Sequence, residues 1–166
     1  MPKQLILLTG GSGFIGSHTI AAFLSSGYRV RVTGRYQKSI EAILAVHSDS
    51  TGDLEAFEVP DITKSGAFDK AVNGVDGVVH MASPFTFNVT NNETDLILPA
   101  INGTLSILKS VASHAPQVKR VVITSSFAAV IDFSKGMAPG HVYDESQWNP
   151  ITYEKAKDNM PGPGYA

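Results

Sequence analysis

No cysteine occurs among the 166 residues, which excludes disulfides, thiolate nucleophiles and cysteine-ligated metals. The five histidines (His18, His47, His80, His114 and His141) are scattered without a metal-ligand spacing, so no metal is expected. Neither sign of charge is in excess: 13 basic against 15 acidic residues give a formal net charge of −2. With no basic stripe, nucleic acid is not an expected partner. Long hydrophobic runs are missing too. Leu5 to Leu8 is far shorter than a signal peptide's core, and no stretch approaches the roughly 20 apolar residues of a membrane span. The default expectation is therefore a soluble, cytoplasmic protein with no membrane partner. Asn88-Val89-Thr90 and Asn102-Gly103-Thr104 match the glycosylation sequon and, without a secretory signal, are read as accidental.

What is present is a chain that is 43% hydrophobic and long enough for one globular domain, which at this size buries roughly 70% of its unfolded surface. Apolar runs of strand length alternate with helix-like stretches. Gln4 to Thr9 is a near-continuous apolar run ending in glycines, and Ile15 to Ser26 carries Ile15, Ile20, Ala21, Phe23 and Leu24 at helical spacing until Gly27. Further strands are expected at Tyr28 to Thr33, Leu54 to Val59, Gly77 to Met81 and Val118 to Thr124. Helices are expected at Ser39 to Val46, for a turn or two at Gly66 to Val72, and at Asp95 to Ala115. Strands that are apolar throughout are buried on both faces, which implies a parallel sheet covered by helices. The fold class is α/β, a doubly wound Rossmann sheet of about five strands in the order 3-2-1-4-5. After Ser126 the periodicity fades, and Asp132 to Gly164 reads as loop.

Between the first strand and first helix stands Thr9-Gly10-Gly11-Ser12-Gly13-Phe14-Ile15-Gly16. Gly10 permits the tight turn, Gly13 lets backbone amides approach a pyrophosphate, and Gly16 lets the helix pack close to the strand. The pyrophosphate would then sit on a helix N-terminus, where unpaired N–H groups and the helix dipole favour negative charge. A dinucleotide is the implied ligand. An NAD-specific fold places an acid at the end of strand two, whereas this chain has Thr33-Gly34-Arg35-Tyr36-Gln37-Lys38 and no acid from Gly27 to Ile40. The guanidinium of Arg35 can grip a 2′-phosphate bidentately and Lys38 can add a point charge, so NADP is expected. Asp61-Ile62 follows strand three where such folds hold the adenine edge, though Asp61 could equally cap a following helix. His80 reads as a hydrogen-bonded core histidine, and Ala82-Ser83 falls at the ligand crevice beyond strand four.

These elements, with Asp61-Ile62-Thr63, His80-Met81-Ala82-Ser83-Pro84-Phe85, Val121-Val122-Ile123-Thr124-Ser125-Ser126 and Tyr143-Asp144-Glu145-Ser146-Gln147-Trp148, resemble the extended short-chain dehydrogenase/reductases of the NAD-dependent epimerase/dehydratase family. The last three are most similar to the dihydroflavonol-reductase-like branch and its fungal aldehyde and methylglyoxal reductases. The resemblance implies a cofactor-binding set of Gly10, Gly13, Phe14, Ile15, Gly16, Arg35, Lys38, Asp61, Ile62, Met81, Ala82 and Tyr165. It also implies a catalytic serine at Ser126, a catalytic tyrosine at Tyr165, and a lysine four residues further on, past the last residue Ala166. Hydride would pass between NADP(H) and a carbonyl carbon while the tyrosine protonates the oxygen and the serine hydrogen-bonds it. Pro84, Phe85 and Phe87 would line the substrate mouth, with core packing as the rival role.

The expected protein is thus the NADP-binding, N-terminal part (1–166) of a carbonyl reductase acting on a small-molecule carbonyl or alcohol, as a monomer or homodimer. Without the lysine, the later strands and the substrate lobe, the piece by itself is expected to be inactive, with strand five an unpaired edge. Two alternatives stand beside this reading: an NAD-dependent sugar-nucleotide epimerase or dehydratase, and a non-catalytic NADP-sensing module.

Overall fold

A computed structural model describes residues 2–50, 52–84, 88–136 and 139–158. The chain gathers into two compact units, one formed by Met1–Ser83 with Ile101–Thr124, the other by Pro84–Ala100 with Ser125–Ala166.

The first unit is built on β1 (Leu5–Thr9), β2 (Arg29–Gly34), β3 (Leu54–Glu58), β4 (Gly77–His80) and β5 (Val121–Ile123). All adjacent pairs are parallel, in the order β3-β2-β1-β4-β5, as the apolar runs implied. Successive side chains of a strand face opposite ways, and β1 shows the result. Leu5 and Leu7 join a cluster with Phe68, Val72, Val75, Val78 and Ile107, while Ile6 and Leu8 join Ile20, Val30, Val32, Ile43 and Leu54. All five residues of β1 are buried. Leu7 and Leu8 are wholly so, each stabilising the fold by about 1.5–3 kcal/mol relative to an exposed leucine.

Three helices belong to this sheet's connections: α1 (Phe14–Ser25), α2 (Gln37–Val46) and α3 (Leu98–His114). Gly103, Ser106, Ile107 and Ser110 form the buried side of α3. Ser106 donates to the Lys64 carbonyl and Ser110 to the Asp69 carboxylate. Together with the preceding turn, Glu93–His114 is 22 residues long and apolar enough on average to cross a membrane, by length and composition only. The sequence placed a helix at Asp95 to Ala115 but, because Asn102, Thr104 and Ser106 interrupt its apolar residues, did not mark it as long and apolar enough for a span.

Four other expectations need correction. Gly66 to Val72 is not a regular helix. Gly66 has φ +74°, and the segment turns through isolated bonds, from Asp69 N to the Gly66 carbonyl (i→i+3) and from Val72 N to the Phe68 carbonyl (i→i+4). Phe68, Ala71, Val72 and Val75 are nonetheless buried, so the apolar spacing reported packing rather than helix. The fifth strand is only three residues long, because Val118 is tied into a turn through its N–H to the Ala115 carbonyl. The third helix is preceded by a π-helical turn at Glu93–Ile97. Finally, the region after Ser126 holds 3₁₀ turns at Phe127–Ala129 and Phe133–Lys135 and a short helix, α4 (Tyr153–Asp158).

Within the second unit, α4 is fastened to the π-helical turn at several points. The buried Asn92 donates Nδ2 to the Ala156 carbonyl at 2.9 Å. Glu93 accepts from the Tyr153 hydroxyl at 2.8 Å and pairs with Lys157 at 3.2 Å. No periodicity over so short a helix could have shown this, since its stability comes from these partners rather than from length.

Candidate dinucleotide site

The carboxyl ends of the central strands are level: Thr9 pairs with Thr33 on one side and His80 on the other, and Gly34 pairs with Glu58. The segments leaving β1, β2, β3 and β4 therefore emerge at one end of the sheet, where open α/β sheets bind ligands. Gly10, Arg35, Asp61, Met81 and Ala82 lie on those segments.

The glycine turn is shaped by contact as well as by φ. Gly10 has φ +74°, and a Cβ there would meet the Ala82 N at 2.9 Å, so Gly10, Met81 and Ala82 are brought together. A Cβ at Gly16 would sit 2.2 Å from the Gly10 carbonyl oxygen. At Gly13 the nearest atom would be that same oxygen at 3.4 Å, which leaves the mouth of the turn open. Gly13 caps α1 without a side-chain hydrogen bond, and no acid stands in the helix's first turn. Phe14 and Ile15 are exposed there. The Phe14, Ile15 and Gly16 N–H groups precede the first helical bond, from the Ser17 N–H to the Gly13 carbonyl, so the cradle fits a pyrophosphate. Gly11 was not singled out by the sequence reading, yet a Cβ there would lie 1.9 Å from Val32 Cγ2. The signal was a second glycine beside Gly10 with no role assigned to it.

Arg35 and Lys38 are exposed at the start of α2. The Arg35 guanidinium lies 5.9 Å from the Tyr36 ring centroid. Ser39 receives the Tyr36 N–H and donates to the Tyr36 carbonyl, which fixes the helix start. No acid stands in its first turn. Asp61 accepts from the Thr63 hydroxyl at 2.6 Å and from its N–H at 2.9 Å. These bonds hold its carboxyl below the usual range, helped by the charges of Lys64 and Arg35. Asp61 thus caps a turn rather than a helix, with one oxygen committed to Thr63. It also lines a cavity of about 220 Å³ with Val59, Pro60, Lys64, Ser65, Gly66 and Ala67. Ile62 is partly buried against the core, and its Cδ1 lies where a Cβ on Gly103 would come within 3.0 Å.

Sequence reasoning also missed how tightly Thr9 and His80 knit this end of the sheet. Thr9 is fully buried, its Oγ1 lies 2.8 Å from His80 Nδ1, and it accepts from the N–H groups of Met81 and Ala82 at 3.1 Å each. His80 is the hydrogen-bonded core histidine expected, and burial pushes its pKa down to about 4.

In the second unit, Ser126 is exposed and caps a 3₁₀ turn, accepting the Ala128 N–H at 3.2 Å. Among the described residues nothing takes its hydroxyl proton, which remains available to a ligand oxygen. Tyr165, Phe85 and Phe87 lie outside the described residues. No group of three or more potential metal ligands occurs among the described residues.

The sequence from residue 6 to residue 153 matches the NAD dependent epimerase/dehydratase family. The chain belongs to that family. It is 44% identical over 158 residues to ketoreductase azaE of Aspergillus niger, covering 91% of this chain and 45% of that protein. To the NADPH-dependent methylglyoxal reductase of Saccharomyces cerevisiae it is 36% identical over 162 residues, covering 93% and 46%. Among solved structures it resembles yeast methylglyoxal/isovaleraldehyde reductase complexed with NADPH, with TM-score 0.88, 35% identity and coverage of 98% and 48%. It also resembles vestitone reductase from alfalfa, with TM-score 0.69, 31% identity and coverage of 89% and 43%. The chain spans about half the length of the curated relatives it matches.

Proposed function

We propose that this chain is the NADP(H)-binding domain, residues 1–166, of a cytoplasmic carbonyl reductase that acts on a small-molecule ketone or aldehyde. The observation that carries the reading is the pair Arg35 and Lys38 at an acid-free helix start, on the same sheet end as the glycine turn. The NADPH dependence of the yeast methylglyoxal reductase and the NADPH complex of the yeast methylglyoxal/isovaleraldehyde reductase support the same cofactor. NADPH supplies the hydride when bound.

The chain's own residues would each do a definable part. The open cradle at Gly13 and the first turn of α1 would receive the pyrophosphate. Arg35 and Lys38 would take the 2′-phosphate, which a carboxylate in their place would repel. Ser126 would donate its hydroxyl proton to the carbonyl oxygen, and Tyr165 would protonate that oxygen as negative charge develops on it. An ordinary tyrosine has a pKa near 10, and each unit of lowering needs about 1.4 kcal/mol of phenolate stabilisation.

Titration of the purified chain with NADPH and with NADH tests the cofactor reading. NADPH is expected to bind at least about tenfold more tightly, and Arg35→Glu to erase the difference, because a charge-assisted bidentate contact is worth a few kcal/mol. Equal affinities, or no binding of either, would overturn it.

A further inference from the structure

The hydrogen-bond accounting at Thr9 assigns a role to a residue that no part of the proposed chemistry uses. A threonine hydroxyl has one proton to give and two lone pairs to receive. Both lone pairs of Thr9 Oγ1 are engaged, by the Met81 N–H and the Ala82 N–H, each at 3.1 Å. The third contact, 2.8 Å to His80 Nδ1, must then carry the threonine's own proton. His80 is the acceptor, so the ring is neutral with its proton on Nε2. The amides held in this way are the ones against which Gly10 turns, since a Cβ on Gly10 would come within 2.9 Å of the Ala82 N and 3.1 Å of the Ala82 Cα.

We infer that His80 is a positioning residue for the dinucleotide turn: by accepting the Thr9 proton it orients both lone pairs toward Met81 and Ala82, and so fixes the backbone packed beneath Gly10. The inference rests on the reading of this turn as the dinucleotide site. His80 is itself held from the other side. Its carbonyl accepts the Thr124 N–H at 3.0 Å and hydroxyl at 3.2 Å, and the Phe68 ring meets the imidazole edge-on at 6.0 Å.

A ¹⁵N spectrum of the labelled chain at pH 7 reads the tautomer directly, and NADPH titration reads its consequence. The expected spectrum shows Nδ1 unprotonated and hydrogen-bonded, with that signature altered in Thr9→Val. NADPH affinity should fall about tenfold in His80→Leu and in Thr9→Val, which leave buried amides or the hydroxyl without a partner. His80→Gln, whose amide oxygen can accept the same proton, and Thr9→Ser should each remain within about threefold of the parent chain. A merely structural histidine would show no such recovery on restoring an acceptor alone. A proton on Nδ1 in the parent chain overturns the inference whatever the binding result, and so does equal loss in His80→Gln and His80→Leu. Failure of the parent chain to bind NADPH would instead overturn the site reading, and the inference with it. Should His80→Leu not fold, the parent spectrum and the Thr9→Ser titration still decide.

Discussion

Strands β1 and β5 are both written in β-branched and aliphatic residues, and they fare differently. Every side chain of Leu5–Thr9 is buried, whereas Val122 and Ile123 are 45% and 42% exposed. The difference comes from position: among the described residues β1 has a strand on each side, while β5 stands at the sheet's edge with β4 as its one neighbour. An apolar run states that a segment can be buried, and the neighbours decide whether it is.

Truncation is the largest way to test that contrast. Leu8→Ala should destabilise the chain by about 2–5 kcal/mol, as for other fully enclosed leucines, while Ile123→Ala should cost less than about 1 kcal/mol. Urea unfolding midpoints at constant slope would measure both, and equal losses would mean that β5 is covered.

Acid should act on the buried end of the sheet next. His80 has a pKa of about 4 in the fold against an ordinary 6.5, so between those values the unfolded chain binds a proton that the folded chain refuses. Stability from this group is complete above pH 6.5 and declines as pH falls toward 4, by about 3 kcal/mol in all. Replacement by phenylalanine should flatten that part of the stability profile. A profile equally steep without the imidazole would locate the acid sensitivity elsewhere.

Within the glycine turn the same contrast between enclosed and open positions recurs. Gly16→Ala, aimed at the Gly10 carbonyl, should cost about 1–3 kcal/mol in thermal or urea unfolding, since backbone cannot step aside as a flexible side chain can. Gly13→Ala, with nothing nearer than 3.4 Å and an ordinary extended φ of −79°, should cost less than Gly16→Ala. The smallest effect belongs to the second unit. Glu93→Gln weakens two exposed contacts to Tyr153 and Lys157, and should show only as faster amide hydrogen exchange along α4.

Much of the first unit was legible because its signals are local and repeated. Five apolar runs, a glycine turn and intervals long enough for crossovers define a parallel sheet, and the acid-free stretch around Arg35 needs no structure to be noticed. The missed features depend on partners far apart in the chain. Gly11 is required by Val32, and Thr9 by His80 and the two amides after it. Phe68, Ala71, Val72 and Val75 keep helical spacing while the backbone turns in single loops, because burial selects which residues are apolar and leaves the hydrogen bonds free. The α4 helix is too short for any period and is held by Asn92 and Glu93, some 60 residues earlier.

The end of the sheet bearing Gly10, Arg35 and Ala82 is where NADP(H) is expected to bind. Adding NADPH to the ¹⁵N-labelled chain tests it residue by residue. The amides of residues 10–16, Arg35 to Lys38 and Met81 to Ala82 should shift in a saturable way, while those at the opposite end of β1 and β2, Leu5 and Arg29, stay in place. Saturable shifts confined to β5, or none within the glycine turn, would contradict it.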